Sequence, residues 1–182
     1  MKRLRVRLAL AVAATGALAI GIVAVAVAGG GHSIRAKLTG YQETPALSTT
    51  GVGKFRVSID RSANQIRYRL TFRGLESAVT QAHIHFENRT NAGPIVVFLC
   101  TNLGNGPAGT QACPANGGTI TGTITPGDVG AGAAAQGIAA GEFGELVRAI
   151  RAGATYVNVH TTGRPAGEIR AQLEHNKHGG ED

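Results

Sequence analysis

The chain has 182 residues, a formal net charge of +7, 43% hydrophobic residues and only 4% aromatic ones. That hydrophobic share excludes an intrinsically disordered chain, and the length suits one domain with its own core. The charge does not single out nucleic acid: Lys2, Arg3, Arg5 and Arg7 crowd the N-terminus, the other basic residues are spread out, and no aromatic-rich basic stripe accompanies them.

Those four basic residues precede an uncharged apolar run, Leu8 to Ala28, that ends in Ala26-Val27-Ala28. A basic start, a long apolar stretch and small residues at its end form the pattern of an export signal, and the run is also long enough to cross a bilayer. Residues 1–28 are therefore read as a signal peptide or an N-terminal membrane anchor. Either places the rest outside the cytoplasm, secreted or held in the cell envelope. Without these residues the net charge falls from +7 to +3.

Residues 29–33 read as a glycine-rich linker, and Ile34 to Thr39 as a first strand. Phe55, Val57 and Ile59 alternate with Lys54, Arg56 and Ser58, which predicts a half-buried strand. After a turn at Asp60 to Gln65, Ile66, Tyr68, Leu70 and Phe72 alternate with Arg67, Arg69, Thr71 and Arg73. The basic side of that strand reads as a solvated face unless it clusters with other charges. Val79 to Phe86 predicts a further strand, with Ala82, Ile84 and Phe86 inward and His83 and His85 outward.

Ile95 to Leu99 is a short apolar strand ending at Cys100. In an exported chain the two cysteines, Cys100 and Cys113, form a disulfide by default, closing a loop rich in Gly, Asn and Pro. Gly118 to Thr125 alternates threonine with isoleucine or glycine and reads as a strand. Ala131 to Ala140 lacks an apolar stripe and reads as loop. In Glu142 to Arg151, Phe143, Leu146, Val147 and Ile150 fall on one helical face, with glutamates early and arginines late. Gly153 ends that helix.

Tyr156, Asn158 and His160 then share one face of a strand, and Val157 and Val159 the other. A turn rich in Gly and Pro follows, and Ile169, Ala171 and Leu173 bring the chain back. Residues 174–182 read as a polar, disordered tail. The pattern predicts an all-β, antiparallel Greek-key sandwich or barrel over residues 34–173, with one short helix covering an open edge or end.

Four stretches carry a resemblance: Leu38-Thr39-Gly40-Tyr41-Gln42-Glu43-Thr44-Pro45; Ala82-His83-Ile84-His85; Gly141-Glu142-Phe143 with Ala149-Ile150-Arg151-Ala152-Gly153; and Tyr156 to Thr161 through Pro165 to Arg170. Together they resemble the CHRD domain, the module first described in chordin and common as a stand-alone exported bacterial protein. The resemblance implies an immunoglobulin-like or barrel-like domain outside the cytoplasm and implies no settled activity. A weaker likeness is to copper/zinc superoxide dismutase, a Greek-key barrel in which a His-x-His strand and a later Val-x-His supply copper ligands. His83, His85 and His160 match that pattern. No bridging histidine and no second His/Asp cluster for zinc accompany them.

Histidines two apart on a strand lean toward one point, and a Greek-key sheet can bring His160 alongside them. Three neutral imidazoles with an open position suit copper or zinc. Glu168, across the turn, and Asn158 are the candidates to orient them from behind. The plainer reading has these histidines on the surface or across strands, satisfied by Asn158, Gln81 or Glu168. No catalytic residue is nominated: neither a nucleophile elbow nor a carboxylate pair is visible. Three functions stay open. The first is a non-enzymatic binding module for an envelope or extracellular protein or polymer. The second is a mononuclear copper or zinc protein, and the third a dismutase-like redox enzyme.

Overall fold

A computed structural model describes residues 32–174. The signal or anchor reading of residues 1–28 and most of the tail lie outside the described residues. Eight strands form one antiparallel sheet: β1 (His32–Thr39), β2 (Val52–Asp60), β3 (Gln65–Arg73), β4 (Val79–Phe86), β5 (Ile95–Thr101), β6 (Gly118–Ile124), β7 (Thr155–Thr161) and β8 (Ile169–Gln172). One α-helix, α1 (Phe143–Arg151), precedes β7. The fold is all-β, as the alternation predicts. No helix among the described residues is long and apolar enough to cross a membrane.

The strand order is β5-β4-β7-β8-β1-β2-β3-β6. The sheet curls until its two edge strands approach, so that β4, β5, β6 and β7 lie in the order β7-β4-β5-β6 around the seam. That is a Greek key: three consecutive strands and a fourth that returns beside the first. Inside the curl sits a single apolar core that includes Phe55, Val57, Leu70, Phe72, Ile84, Val97, Val157 and Ile169. Alternation along β2 and β3 puts every second residue there and leaves Lys54, Arg56, Arg67 and Arg69 exposed.

The seam between β5 and β6 is joined by side chains. The Tyr68 hydroxyl donates to the Leu99 carbonyl at 3.1 Å. The Gln111 amide reaches the carbonyls of Leu99 on β5 and Thr121 on β6 at 3.1 and 3.2 Å, and the Tyr68 hydroxyl at 2.8 Å. Gly122 makes room for the Tyr68 ring, which lies 2.6 Å from where a Cβ would stand.

Gln111 is held in place by its loop, which the expected disulfide closes: Cys100 and Cys113 are bonded, thirteen residues apart. Such a bond fits an oxidising compartment. The double substitution Cys100→Ser/Cys113→Ser is expected to cost about 3 kcal/mol through loop entropy, lowering Tm by roughly 6–12 °C in a thermal melt.

Two local readings change. β1 begins at His32, so the last residues assigned to the linker are strand. The stretch expected to be loop from Ala131 contains a 3-10 segment, Ala131–Gln136, whose three-residue turn leaves no 3.6-residue stripe to read. It approaches the outer edge of β5, where the Gly130 N–H bonds the Val96 carbonyl at 2.9 Å. Part of the edge-covering role assigned to the helix therefore falls to this segment. The helix itself buries Phe143, Leu146, Val147 and Ile150, and Gly153 follows it at a φ of 73°.

Candidate metal centre

The outer face of β4, β7 and β8 is polar in sequence and buried in the structure. Strand register sets its rows: His85 stands opposite Tyr156, which stands opposite Gln172; His83 stands opposite Asn158, which stands opposite Arg170; Gln81 stands opposite His160. His83 is 0% exposed, and His85 and His160 are 6% exposed. The expectation that His83 and His85 face outward holds for their direction, away from the apolar core. The solvated surface that it implied is corrected: loops from residues 40–51, 87–94 and 162–168 close over them.

Arg170 fastens the first two of those loops. Its guanidinium donates to Thr44 Oγ1 and to the carbonyls of Asn88 and Asn91, each at 3.0 Å. It also lies 3.5 Å over the Tyr156 ring. On its other side Tyr156 stacks against His85, with ring centroids 4.6 Å apart and planes 1° from parallel. Gly93 ties the same loop down with both backbone groups: its N–H donates to the Tyr156 hydroxyl at 3.1 Å, and its carbonyl takes the His85 Nδ1 proton at 2.8 Å.

The three histidines converge. One ligand-capable nitrogen of each lies within 4.8 Å of the other two, and His83 Nδ1 hydrogen-bonds His160 Nε2 at 3.2 Å. Tetrahedral bonds of about 2.0–2.1 Å to imidazole imply nitrogen separations of about 3.3 Å, so an ion would replace the His83–His160 hydrogen bond and draw the wider contacts inward. His160 Nδ1 donates to the Pro165 carbonyl at 3.0 Å. With Nδ1 protonated on both His85 and His160, their Nε2 atoms carry the lone pairs: that of His85 has no partner, and that of His160 accepts from His83 Nδ1.

Burial pushes the pKa of His83 down to about 2 and that of His85 to about 4, and lowers that of His160. All three are neutral at physiological pH and able to donate a lone pair. Glu43, in the loop before β2, moves the other way: burial raises its carboxyl to about 7, against the pull of Arg170.

Polar atoms left without partners concentrate here. Among the described residues seven buried side-chain atoms lack a hydrogen bond, and five of them belong to this face or the loop over it: His83 Nε2, His85 Nε2, Asn158 Oδ1, Gln172 Oε1 and Glu43 Oε1. Each buried unpaired polar atom costs about 1–3 kcal/mol. These unpaired atoms concentrate on the face that carries the three histidines.

The expected role of Glu168 is corrected. It is fully buried, but it accepts from Thr49 Oγ1, the Glu76 N–H and Thr161 Oγ1, each at 2.8 Å, and so binds loops to one another. Orienting His160 falls to the Pro165 carbonyl. Asn158 sits beside His83 in the register with its Oδ1 free. Sequence reasoning missed Tyr156, Arg170, Glu43 and Gly93. Arg170 alternates outward in Ile169-Arg170-Ala171-Gln172 like any solvated polar residue, so neither it nor the backbone carbonyls left a sequence signal.

A Cβ on Gly93 would stand 2.3 Å from the Phe86 carbonyl oxygen. Gly93→Ala must therefore shift the carbonyl that fixes His85. It is expected to weaken metal binding about 10–100-fold, read by competition with a chromophoric chelator, while the disulfide and the seam stay intact.

A second cluster of three or more His, Cys, Asp or Glu side chains within ligand reach is not present among the described residues. The sequence model of the CHRD domain matches residues 34–173. No curated protein and no solved structure matches the chain significantly.

Proposed function

Because the chain belongs to the CHRD-domain family, a membership that supplies a domain and no assigned activity, we propose its function from the site: it binds one copper or zinc ion through His83, His85 and His160. The observation that carries this reading is the convergence of three buried imidazoles, one nitrogen of each within 4.8 Å of the others, with His85 and His160 each held through Nδ1 by a backbone carbonyl and His85 Nε2 without a partner. Neutral imidazoles without a thiolate suit copper and zinc, and the usual affinity order favours Cu²⁺ over Zn²⁺. Three protein ligands leave a position open, so a bound ion can also take up a donor from an extracytoplasmic partner or small molecule. The chain holds the imidazoles in a dry layer with Tyr156 and Arg170 behind them. In this reading it is a non-enzymatic metal-holding module of the exported compartment.

The test is metal analysis of untagged protein, followed by titration of the chelator-treated chain with Cu²⁺ and Zn²⁺. One ion per chain is expected, with affinity falling at least 100-fold in His83→Ala/His160→Ala while the far-UV CD spectrum is kept. Sub-stoichiometric metal, unchanged in that variant, would overturn the reading.

A further inference from the structure

We propose that the outer face of β1, β2 and β3, on the far part of the sheet from the histidines, docks on the headgroups of an anionic phospholipid surface. The register lines up its charges. Arg35 stands opposite Arg56, and Arg56 opposite Arg69. One row along, Lys37 stands opposite Lys54; Arg67 and Arg73 extend the face at either end of β3. All seven are exposed. Like charges directly opposite one another on a sheet destabilise it, so this arrangement works against the fold that carries it.

Little within the face compensates. The side chains between and beside these cations are mostly serine and threonine, with half-buried Val52 opposite Arg73 and a single carboxylate, Asp60, near Arg67. None of the seven makes an ion pair among the described residues. The nearest acid in the strands, Asp60 at the end of β2, is held by the Ser62 hydroxyl at 2.7 Å and the Ala63 N–H at 3.1 Å. The remaining described residues carry six basic and nine acidic side chains, so the domain presents one strongly positive side and is negative elsewhere. A charge distribution of that kind orients a protein on a negative surface.

Two features select a bilayer as that surface. The face is a broad sheet, and the apolar run Leu8–Ala28 ends four residues before His32, where β1 begins. Four residues reach at most about 14 Å, close to the ~10 Å over which charges act at ~0.1 M salt. If that run remains in a membrane, Arg35 and Lys37 are delivered to the headgroup layer. Each cation there adds favourably to binding on anionic lipid.

The test reconstitutes the full chain with vesicles of pure phosphatidylcholine, or of phosphatidylcholine with ~30 mol% phosphatidylglycerol. An amine-acylating reagent then footprints Lys37 and Lys54 by mass spectrometry. The apolar run contributes in both lipids, so the difference between them reads the face. Labelling of both lysines is expected to fall several-fold on the anionic vesicles only, and to recover at ~1 M salt, where the screening length is about 3 Å. Arg56→Gln/Arg69→Gln is expected to remove most of the difference while keeping or raising Tm, because it removes the opposed charges. Equal labelling on the two lipids overturns the proposal. So does protection by soluble polyphosphate with none on phosphatidylglycerol, which would assign the face to a phosphate polymer instead. Neither result touches the histidine site.

Discussion

Arg170→Ala is expected to destabilise the domain by about 3 kcal/mol and to weaken metal binding in the same variant. The side chain is 2% exposed and donates three hydrogen bonds to two different loops. Removing it leaves the Asn88 and Asn91 carbonyls to find water or stay unpaired, and truncating one partner of a buried charged network costs on the order of 3–5 kcal/mol before relaxation. Tyr156 also loses the cation over its ring, and with it part of what holds the parallel stack against His85. A drop in Tm of roughly 6–12 °C follows for a domain of this size. Lysine is expected to rescue little, since an ammonium does not reproduce the planar fork that spans three acceptors and stacks on tyrosine. If Arg170→Ala melts like the parent, the loops do not depend on this residue, and the account of why the histidine face is buried fails.

Metal-free protein is expected to lose stability as pH falls from 7 to 5. The three histidines have folded pKa values below the ordinary 6.5, chiefly through burial. Below 6.5 the unfolded chain takes up protons that the folded chain refuses, so unfolding is favoured increasingly on acidification until the folded values are reached. Glu43 acts in the opposite sense. Its folded pKa is raised from 4.5 to about 7, so the folded chain holds the extra proton between those values, and acidification from 7 toward 4.5 relieves a penalty present at higher pH.

His83 and His85 against Glu43 leave a net loss on the order of 1 kcal/mol per pH unit between 6 and 5, and His160 adds to it in the same direction. Urea denaturation at pH 7, 6 and 5 measures it. Glu43→Gln is expected to steepen the fall, because it removes the opposing group. A flat profile would mean that the imidazoles accept protons where they sit, which their packing does not permit.

The strands were legible because β2, β3 and β6 alternate cleanly, and the disulfide because an export-like N-terminus makes pairing the default for two cysteines. The histidine triad was legible as a set: His83 and His85 share a face by period two, and the returning strand brings His160 to the same side. Its burial was not legible. Alternation distinguishes the two sides of a strand but does not say what lies beyond the second side, and here the cover comes from loops at 40–51, 87–94 and 162–168. Those loops are held by backbone carbonyls of Asn88, Asn91, Gly93 and Pro165, groups every residue possesses and no sequence pattern reveals. The assignment of Glu168 to His160 failed for a related reason. Proximity across a turn was right, but Thr49, Thr161 and the Glu76 N–H had already taken both carboxylate oxygens.

The basic rows needed the register. Arg67, Arg69 and Arg73 are evident along one strand, but the stacking of Arg35, Arg56 and Arg69 exists only once β1 and β2 pair with β3.

On β4 and β7 the odd and even positions answer to different demands. Ala82, Ile84, Val157 and Val159 belong to the hydrocarbon interior, whereas His83, His85, Asn158 and His160 belong to the layer beneath the loops. Mutations at one set can therefore accumulate without disturbing the other, and a lineage can retune its thermal tolerance and its ligand chemistry separately. The same interleaving makes mispairing self-revealing: sliding either strand by one residue would drive imidazoles into oil and valines under the polar lid, so a misthreaded copy forfeits both at once.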